Sequence, residues 1–226
     1  LQELGKPEEA VASYRKALEI KPEYAAVHSN LGVALHSLGK REEAFACYQK
    51  ALSIEPNEAE AHWNLALAFL LQGDLKRGWE QFEWRFKTKG KIRREHNWQT
   101  LPIEKWRGSD LQGKNIIVYA EQGVGDEITF SSCIPDLLEQ SPKKIFLECD
   151  PRLESLFARS FPSVHVCGKE PNQDLSWVGE HVHLDYSIPI GSLPKFFRNR
   201  IEDFPSRNAL LVPEPKLVEK WTQRLA

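Results

Sequence analysis

Asn115-Ile116-Ile117-Val118-Tyr119-Ala120-Glu121-Gln122-Gly123-Val124-Gly125-Asp126-Glu127 is the stretch from which the fold of the second half of this chain is read. A β-branched apolar run closed by glycines has the character of a strand buried on both faces in a parallel sheet. Gly123-x-Gly125 turns the chain, and Asp126 opens a segment in which Ile128, Ser132, Pro135 and Leu138 recur at helical spacing. Strand, tight loop and helix N-terminus thus follow in order. In open α/β sheets ligands settle beyond the carboxyl ends of the strands, where such loops point. The Glu121 to Asp126 loop is therefore the best candidate for a binding site in the chain.

The 226 residues suffice for two ordinary domains. A net charge of -2 provides no overall attraction to nucleic acid or acidic membranes. No apolar run reaches the length of a membrane span, and a cytoplasmic location is expected. Cys47, Cys133, Cys149 and Cys167 are widely spaced within apolar stretches, as buried thiols in a reducing compartment would be. The sequence contains no methionine, begins inside one helical pattern and stops inside another at Trp221 to Ala226, so a fragment of a longer protein is expected.

Upstream the chain repeats itself. Gly5, Gly39 and Gly73 are spaced by 34, as are Ala10 and Ala44, Tyr14 and Tyr48, Ala17 and Ala51, and Pro22 and Pro56; Leu31-Gly32 returns as Leu65-Ala66. This period and residue pattern resemble the tetratricopeptide repeat over residues 1–88. Small residues let paired helices approach, aromatic residues fill the layers, and prolines end the second helix of each pair. The third copy drifts: Gly78 stands where Ala10 and Ala44 stood, and Trp79, Phe82, Trp84 and Phe86 follow. An aromatic helix of this kind is expected to cap the array and dock on the next domain. His28 and His62 occupy equivalent positions, where packing within helix pairs is expected. So do Asn30 and Asn64, each before the leucine of its helix. Either they lie on a solvated face, or they form a ladder that holds a polypeptide backbone, since an amide both donates and accepts. The second reading resembles the arm of the O-linked N-acetylglucosamine transferase family.

Residues 89–113 read as a linker. The basic run Lys87 to Arg94 has the character of a solvated connector, not a nucleic-acid grip, and Trp98 and Trp106 are expected to fasten an irregular segment. From residue 114 to 226, strands at Asn115–Ala120, Lys144–Cys149, Val164–Cys167 and His183–Ile188 alternate with helical segments, the pattern of a Rossmann-like α/β lobe with a parallel sheet. Asp150-Pro151 supplies a helix cap and first residue. A dinucleotide fingerprint would need glycine where Ile128 stands, which argues against NAD even though Glu148 ends the second strand, and no Gly-Lys-Ser/Thr follows the loop. His181-x-His183 lacks a third ligand nearby, so no metal site is expected.

Trp106-Arg107-Gly108, the strand Ile116 to Tyr119, Glu121-Gln122-Gly123-Val124-Gly125-Asp126 and Ser192-Leu193-Pro194, preceded by the Trp79 to Arg85 helix, resemble the first lobe of bacterial GT-B glycosyltransferases with tetratricopeptide arms. Gly125-Asp126 and Pro135 are also similar to heptosyltransferases. The resemblance implies transfer of a sugar from a nucleotide donor to a protein or glycan hydroxyl, with Asp126 as base and the Glu121 to Gly125 loop shaping the acceptor pocket. It further implies a nucleotide-sugar lobe after Ala226, no bound cofactor within this fragment, and no sugar transfer by the fragment alone. Two readings fit Asp126, because aspartate at a helix N-terminus also serves as a cap and is made a weaker base there. The alternative function is a non-enzymatic interaction scaffold with an inert α/β companion.

Overall fold

The computed structural model describes residues 6–88, 102–169, 175–179, 181–206 and 209–225. The chain divides into two compact units. One comprises Leu1–Lys91 with Arg198–Asp203, the other Ile92–Phe197 with Phe204–Ala226. Gly5, Trp98 and residues 89–94 of the basic run, for which the sequence raises expectations, lie outside the described residues.

The first unit is built from α1 (Pro7–Ile20), α2 (Ala25–Ser37), α3 (Arg41–Ile54), α4 (Ala59–Leu71) and α5 (Leu75–Phe82). Pro7 opens α1 with Glu8 and Glu9 in its first turn, where the missing N–H is harmless and the helix dipole favours anions. Gly39 and Gly73, at φ 74° and 81°, make the left-handed turns that follow α2 and α4. His28 Nε2–H donates to Pro22 O and His62 Nε2–H to Pro56 O, both at 2.8 Å, so each histidine ties its helix to the end of the one before.

Ala10, Ala34, Leu35, Ala44, Tyr48 and Phe69 are core residues of this unit. The close approach centres on Gly32, where a Cβ would stand 2.4 Å from Tyr48 Cε1. Gly78 has a parallel reason: a Cβ there would meet Leu70 Cδ2 at 2.6 Å, so the alanine of the earlier copies no longer fits. After α5 a 3-10 turn, Glu83–Lys87, closes the end of the unit. His62 stacks on Trp84 with centroids 3.7 Å apart, and the Lys87 ammonium lies 3.8 Å from the Trp84 ring centre. Arg85 is fully buried beside the rings of Phe82 and Phe86, its Nη1 donating to Phe82 O and to Glu83 Oε1 at 3.1 and 2.8 Å. Trp79 Nε1 donates to Arg198 O at 2.8 Å, which fastens the 198–203 segment to this unit.

The second unit contains β1 (Glu104–Lys105), β2 (Asn115–Tyr119), α6 (Val124–Phe130), α7 (Ile134–Glu139), β3 (Lys144–Cys149), α8 (Glu154–Ser160), β4 (His165–Gly168), β5 (Tyr186–Pro189), α9 (Pro194–Phe197) and α10 (Pro215–Leu225). The strands form a parallel sheet in the order β1-β5-β2-β3-β4. All five residues of β2 are buried, as its apolar run requires. Ile117, Tyr119 and Phe146 pack with Val178, Trp177 and Leu175. At the start of β2, the Asn115 N–H donates to Asp185 Oδ2 at 2.8 Å; with Lys114 close by, this bond holds the Asp185 carboxyl below its ordinary range. Trp106 is buried against Phe196, with ring centres 4.6 Å apart, and donates to Ser109 O at 2.8 Å. α10 is exposed along its length, Leu217, Val218 and Trp221 included.

The single helix expected over Asp126 to Glu139 is instead α6, a 3-10 turn at Ser131–Cys133, and α7. Pro135 has no N–H to continue the ladder, which accounts for the break. Its inward side is correspondingly Glu127, Phe130, Ser131, Ile134 and Leu137, while Ile128 is exposed. All four cysteines are free thiols, with Cys133 and Cys149 buried. Among the described residues no helix is long and apolar enough to cross a membrane.

Gly32→Ala is expected to lower stability by about 1–2 kcal/mol, because forcing a methyl against the buried Tyr48 ring outweighs the gain in helix propensity. Urea unfolding of the chain followed by circular dichroism measures the loss.

Candidate functional site

Two places in the molecule collect the candidate residues, one in each unit.

In the helical unit, α2 and α4 are neighbours, and the 34-residue period puts equivalent side chains on both. On α2 the residues Leu31, Ala34 and Leu35 are buried, as are Leu65, Ala68 and Phe69 on α4. Asn30 and Asn64 are not part of that buried set. Asn30 is exposed and Asn64 half-buried. The Asn64 amide donates to the hydroxyl of Ser29, the buried neighbour of Asn30, at 3.4 Å. That bond joins one repeat to the next and leaves the Asn64 carbonyl oxygen able to accept. Along the same side of α4, one and two turns on, Leu67 and Leu71 are 39% and 62% exposed, so the amides border an apolar strip. The unit also has an open cleft of 490 Å³ between Gln72–Leu75 and Asn199–Glu202. There the Arg77 guanidinium, paired with Asp74, holds the Asp74 carboxyl below its ordinary range.

In the α/β unit the sheet order reverses next to β2. β3 and β4 step away on one side of β2, and β5 returns on the other. At such a reversal the loops after the two flanking strands diverge and leave a crevice. The Glu121 to Gly125 loop leaves β2 at that point, and the turn Ile190–Ser192 leaves β5 and packs against α6. Glu121, only 4% exposed, accepts the Gly191 N–H at 3.0 Å and so stitches one loop to the other. Gln122 is half-buried, and its Oε1 is buried without a hydrogen-bond partner among the described residues. Gly123 is the N-cap of α6, and its N–H donates to Asp126 Oδ2 at 3.2 Å. Asp126 is exposed, so one carboxylate oxygen caps the helix while the side chain remains open to solvent.

Gly125 is the notable glycine. Its φ is not positive, and a Cβ on it would meet nothing within 4 Å. Gly123 likewise lies near nothing closer than Asp126 Oδ2, at 3.6 Å from its ideal Cβ. Neither conformation nor packing requires glycine at these two positions, in contrast to Gly32 and Gly78.

Glu127 plays a part that the sequence did not disclose. It is 2% exposed, and its Oε2 accepts the Asp150 N–H at 2.8 Å, tying α6 to the loop after β3. Burial, reinforced by the Glu127 carboxylate nearby, pushes the Cys149 thiol far up and keeps it protonated. Glu148 is fully buried and pairs with Lys169 at 3.2 Å. His181 and His183 are both exposed. Among the described residues no group of three or more His, Cys, Asp or Glu side chains is placed to hold a metal ion.

Comparison with known proteins bears on the helical unit first. Residues 1–39 and 34–73 match the family model described as TPR repeat. This part of the chain carries TPR repeats. A curated relative, Protein FlbA of Caulobacter vibrioides, is 33% identical over 165 residues, covering 69% of this chain and 27% of FlbA. The match is longer than the repeat arm, so it takes in part of the α/β unit, and the chain spans about a quarter of that relative's length. Among solved structures, the first TPR of Spaghetti (RPAP3) bound to an HSP90 peptide is 21% identical, with a TM-score of 0.35, covering 36% of this chain and 65% of that one. The TPR2B domain of yeast Sti1 in complex with pHsp70 is 28% identical, with a TM-score of 0.36, covering 38% and 69%. MamA is 22% identical, with a TM-score of 0.35, covering 38% and 50%.

The cap and the bare glycine are separable by mutation. Asp126→Ala should cost the α/β unit about 1 kcal/mol through loss of the bond its carboxylate accepts from the Gly123 N–H. Gly125→Ala should leave stability unchanged or raise it by up to about 1 kcal/mol, since alanine is the better helix former. Hydrogen exchange of the amides in α6 reads both.

Proposed function

We propose that this chain is a protein-interaction module whose TPR unit holds an extended polypeptide segment along the side shared by α2 and α4. The observation that carries the reading is the pair Asn30 and Asn64 on successive repeats, the first exposed, the second half-buried and bonded to the Ser29 hydroxyl. Amides at repeat spacing can donate to backbone carbonyls and accept from backbone N–H groups whatever the side chains of the bound segment. Each such bond contributes about 0.5–1.5 kcal/mol net, so affinity accumulates over several rungs. The relatives whose names record bound HSP90 and pHsp70 partners are in keeping with this use of the repeats. The free thiols fit a cytoplasmic setting.

A second reading concerns the α/β unit, and the strand-order reversal beside β2 favours it. Here that unit is the Rossmann-like, acceptor-side lobe of a GT-B glycosyltransferase within a longer protein. The Glu121 to Gly125 loop shapes the acceptor pocket, and Asp126 takes the proton of the acceptor hydroxyl. The donor would be a nucleotide sugar held by a lobe outside these 226 residues. Glu121 would act by positioning, since its carboxylate already receives Gly191. The open space over Gly125 would admit the acceptor close to the backbone.

Asn30→Ala combined with Asn64→Ala should weaken binding of polypeptide segments at least about tenfold, or roughly 1.4 kcal/mol, while leaving the helical circular dichroism unchanged. Unaltered binding would remove the amide ladder from the account. For the second reading, transfer from labelled nucleotide sugars by the longer protein should be abolished by Asp126→Asn. Transfer that survives that change would remove Asp126 as base.

A further inference from the structure

We infer that the segment held by α2 and α4 is an uncharged one, placing an apolar side chain on Leu67 and Leu71; this inference rests on the interaction reading above. It comes from the distribution of charge among the helices. α1 carries Glu8, Glu9, Arg15, Lys16 and Glu19, and α3 carries Arg41, Glu42, Glu43 and Lys50. α2, by contrast, has no Asp, Glu, Lys or Arg, and α4 has Glu60 alone.

α2 and α4 expose fewer residues than α1 and α3, but burial is not the whole of this difference. Asn30, His36, Ser37, Leu67 and Leu71 are all exposed, yet none carries a fixed charge. The histidines at the start of both helices are committed to the carbonyls of Pro22 and Pro56. The charges of α1 and α3 also find partners on their own side: Arg15 pairs with Glu43 at 3.1 Å. A surface helix of a globular protein ordinarily turns charged residues toward water. Here the exposed stripe of α4 presents leucines, and that of α2 presents Asn30 and Ser37.

This surface selects by what it lacks. Past Glu60 in the first turn of α4, a charged side chain laid on it would lose water and find no opposite charge on either helix in return, a penalty that an uncharged segment avoids. The amides can engage the backbone of such a segment, and Leu67 and Leu71 can cover one of its apolar side chains, removing apolar area of both from water. Because Coulomb attraction plays little part, binding should be nearly independent of salt.

The test is selection of binders from a random-sequence displayed peptide library by the full chain, with the Asn30→Ala/Asn64→Ala chain as the subtractive control. The enriched peptides are expected to be depleted in Asp, Glu, Lys and Arg relative to the input and to contain Leu, Ile, Val or Phe. Their affinity should change less than about twofold between low and high salt. Leu71→Glu should weaken these peptides about tenfold and allow lysine-containing ones to be recovered, a change of preference that mere loss of fold does not produce. Enrichment of acidic or basic peptides that depends on Asn30 and Asn64 would overturn the inference and leave the interaction reading standing. The absence of any enrichment over the control would overturn both.

Discussion

The ring of Tyr48 lying where a side chain on Gly32 would be is the contact on which the helical unit depends. With no Cβ at position 32, α2 and α3 approach closely enough for the aromatic ring to fill the space between them. That approach sets the rotation of α2 about its axis. Leu31, Ala34 and Leu35 turn inward, and Asn30 turns out. The same phase returns 34 residues later on α4, with Leu65, Ala68 and Phe69 inward. The return of an amide to the same place on α2 and α4 is thus a geometric consequence of a packing rule, repeated without change of register.

The α/β unit works from a different constraint. A parallel sheet whose strand order reverses beside β2 has its loops diverge at the carboxyl edge of that strand. Two buried glutamates keep this edge from fraying. Glu121 joins the loop after β2 to the turn after β5, and Glu127 joins α6 to the loop after β3. Burying a carboxylate is costly unless backbone donors satisfy it, and here the donors are Gly191 and Asp150. The frame is therefore tied on both sides of a loop whose own glycines, Gly123 and Gly125, have no internal reason to be glycine.

Much of this was legible along the chain, and the exceptions share a cause. The 34-residue period, the β2 and β3 strands and the Asp150 cap are set by local spacing and by apolar runs, which sequence displays directly. β1 is two exposed residues, Glu104 and Lys105, that form a strand only because Tyr186 and Ser187 lie alongside. The structural roles of Glu121 and Glu127 depend on amides 70 and 23 residues away, and nothing in their neighbours announces those partners. Residues 198–203 group with the helical unit although they follow the last strand in sequence, and the Trp79 bond to the Arg198 carbonyl is a contact across 119 positions. Asp126 was legible as both cap and candidate base, and its exposed, half-engaged carboxylate is compatible with each.

The most direct measurement is a nuclear magnetic resonance titration of the isotope-labelled chain with an uncharged, leucine-containing peptide that it binds. The account predicts that the side-chain amide signals of Asn30 and Asn64, the methyl signals of Leu67 and Leu71, and backbone amides along Ala25–Ser37 and Ala59–Leu71 shift together as the peptide saturates. Shifts confined to Arg41–Ile54, to the Gln72–Leu75 cleft or to the α/β unit, with those two asparagines unmoved, would contradict it.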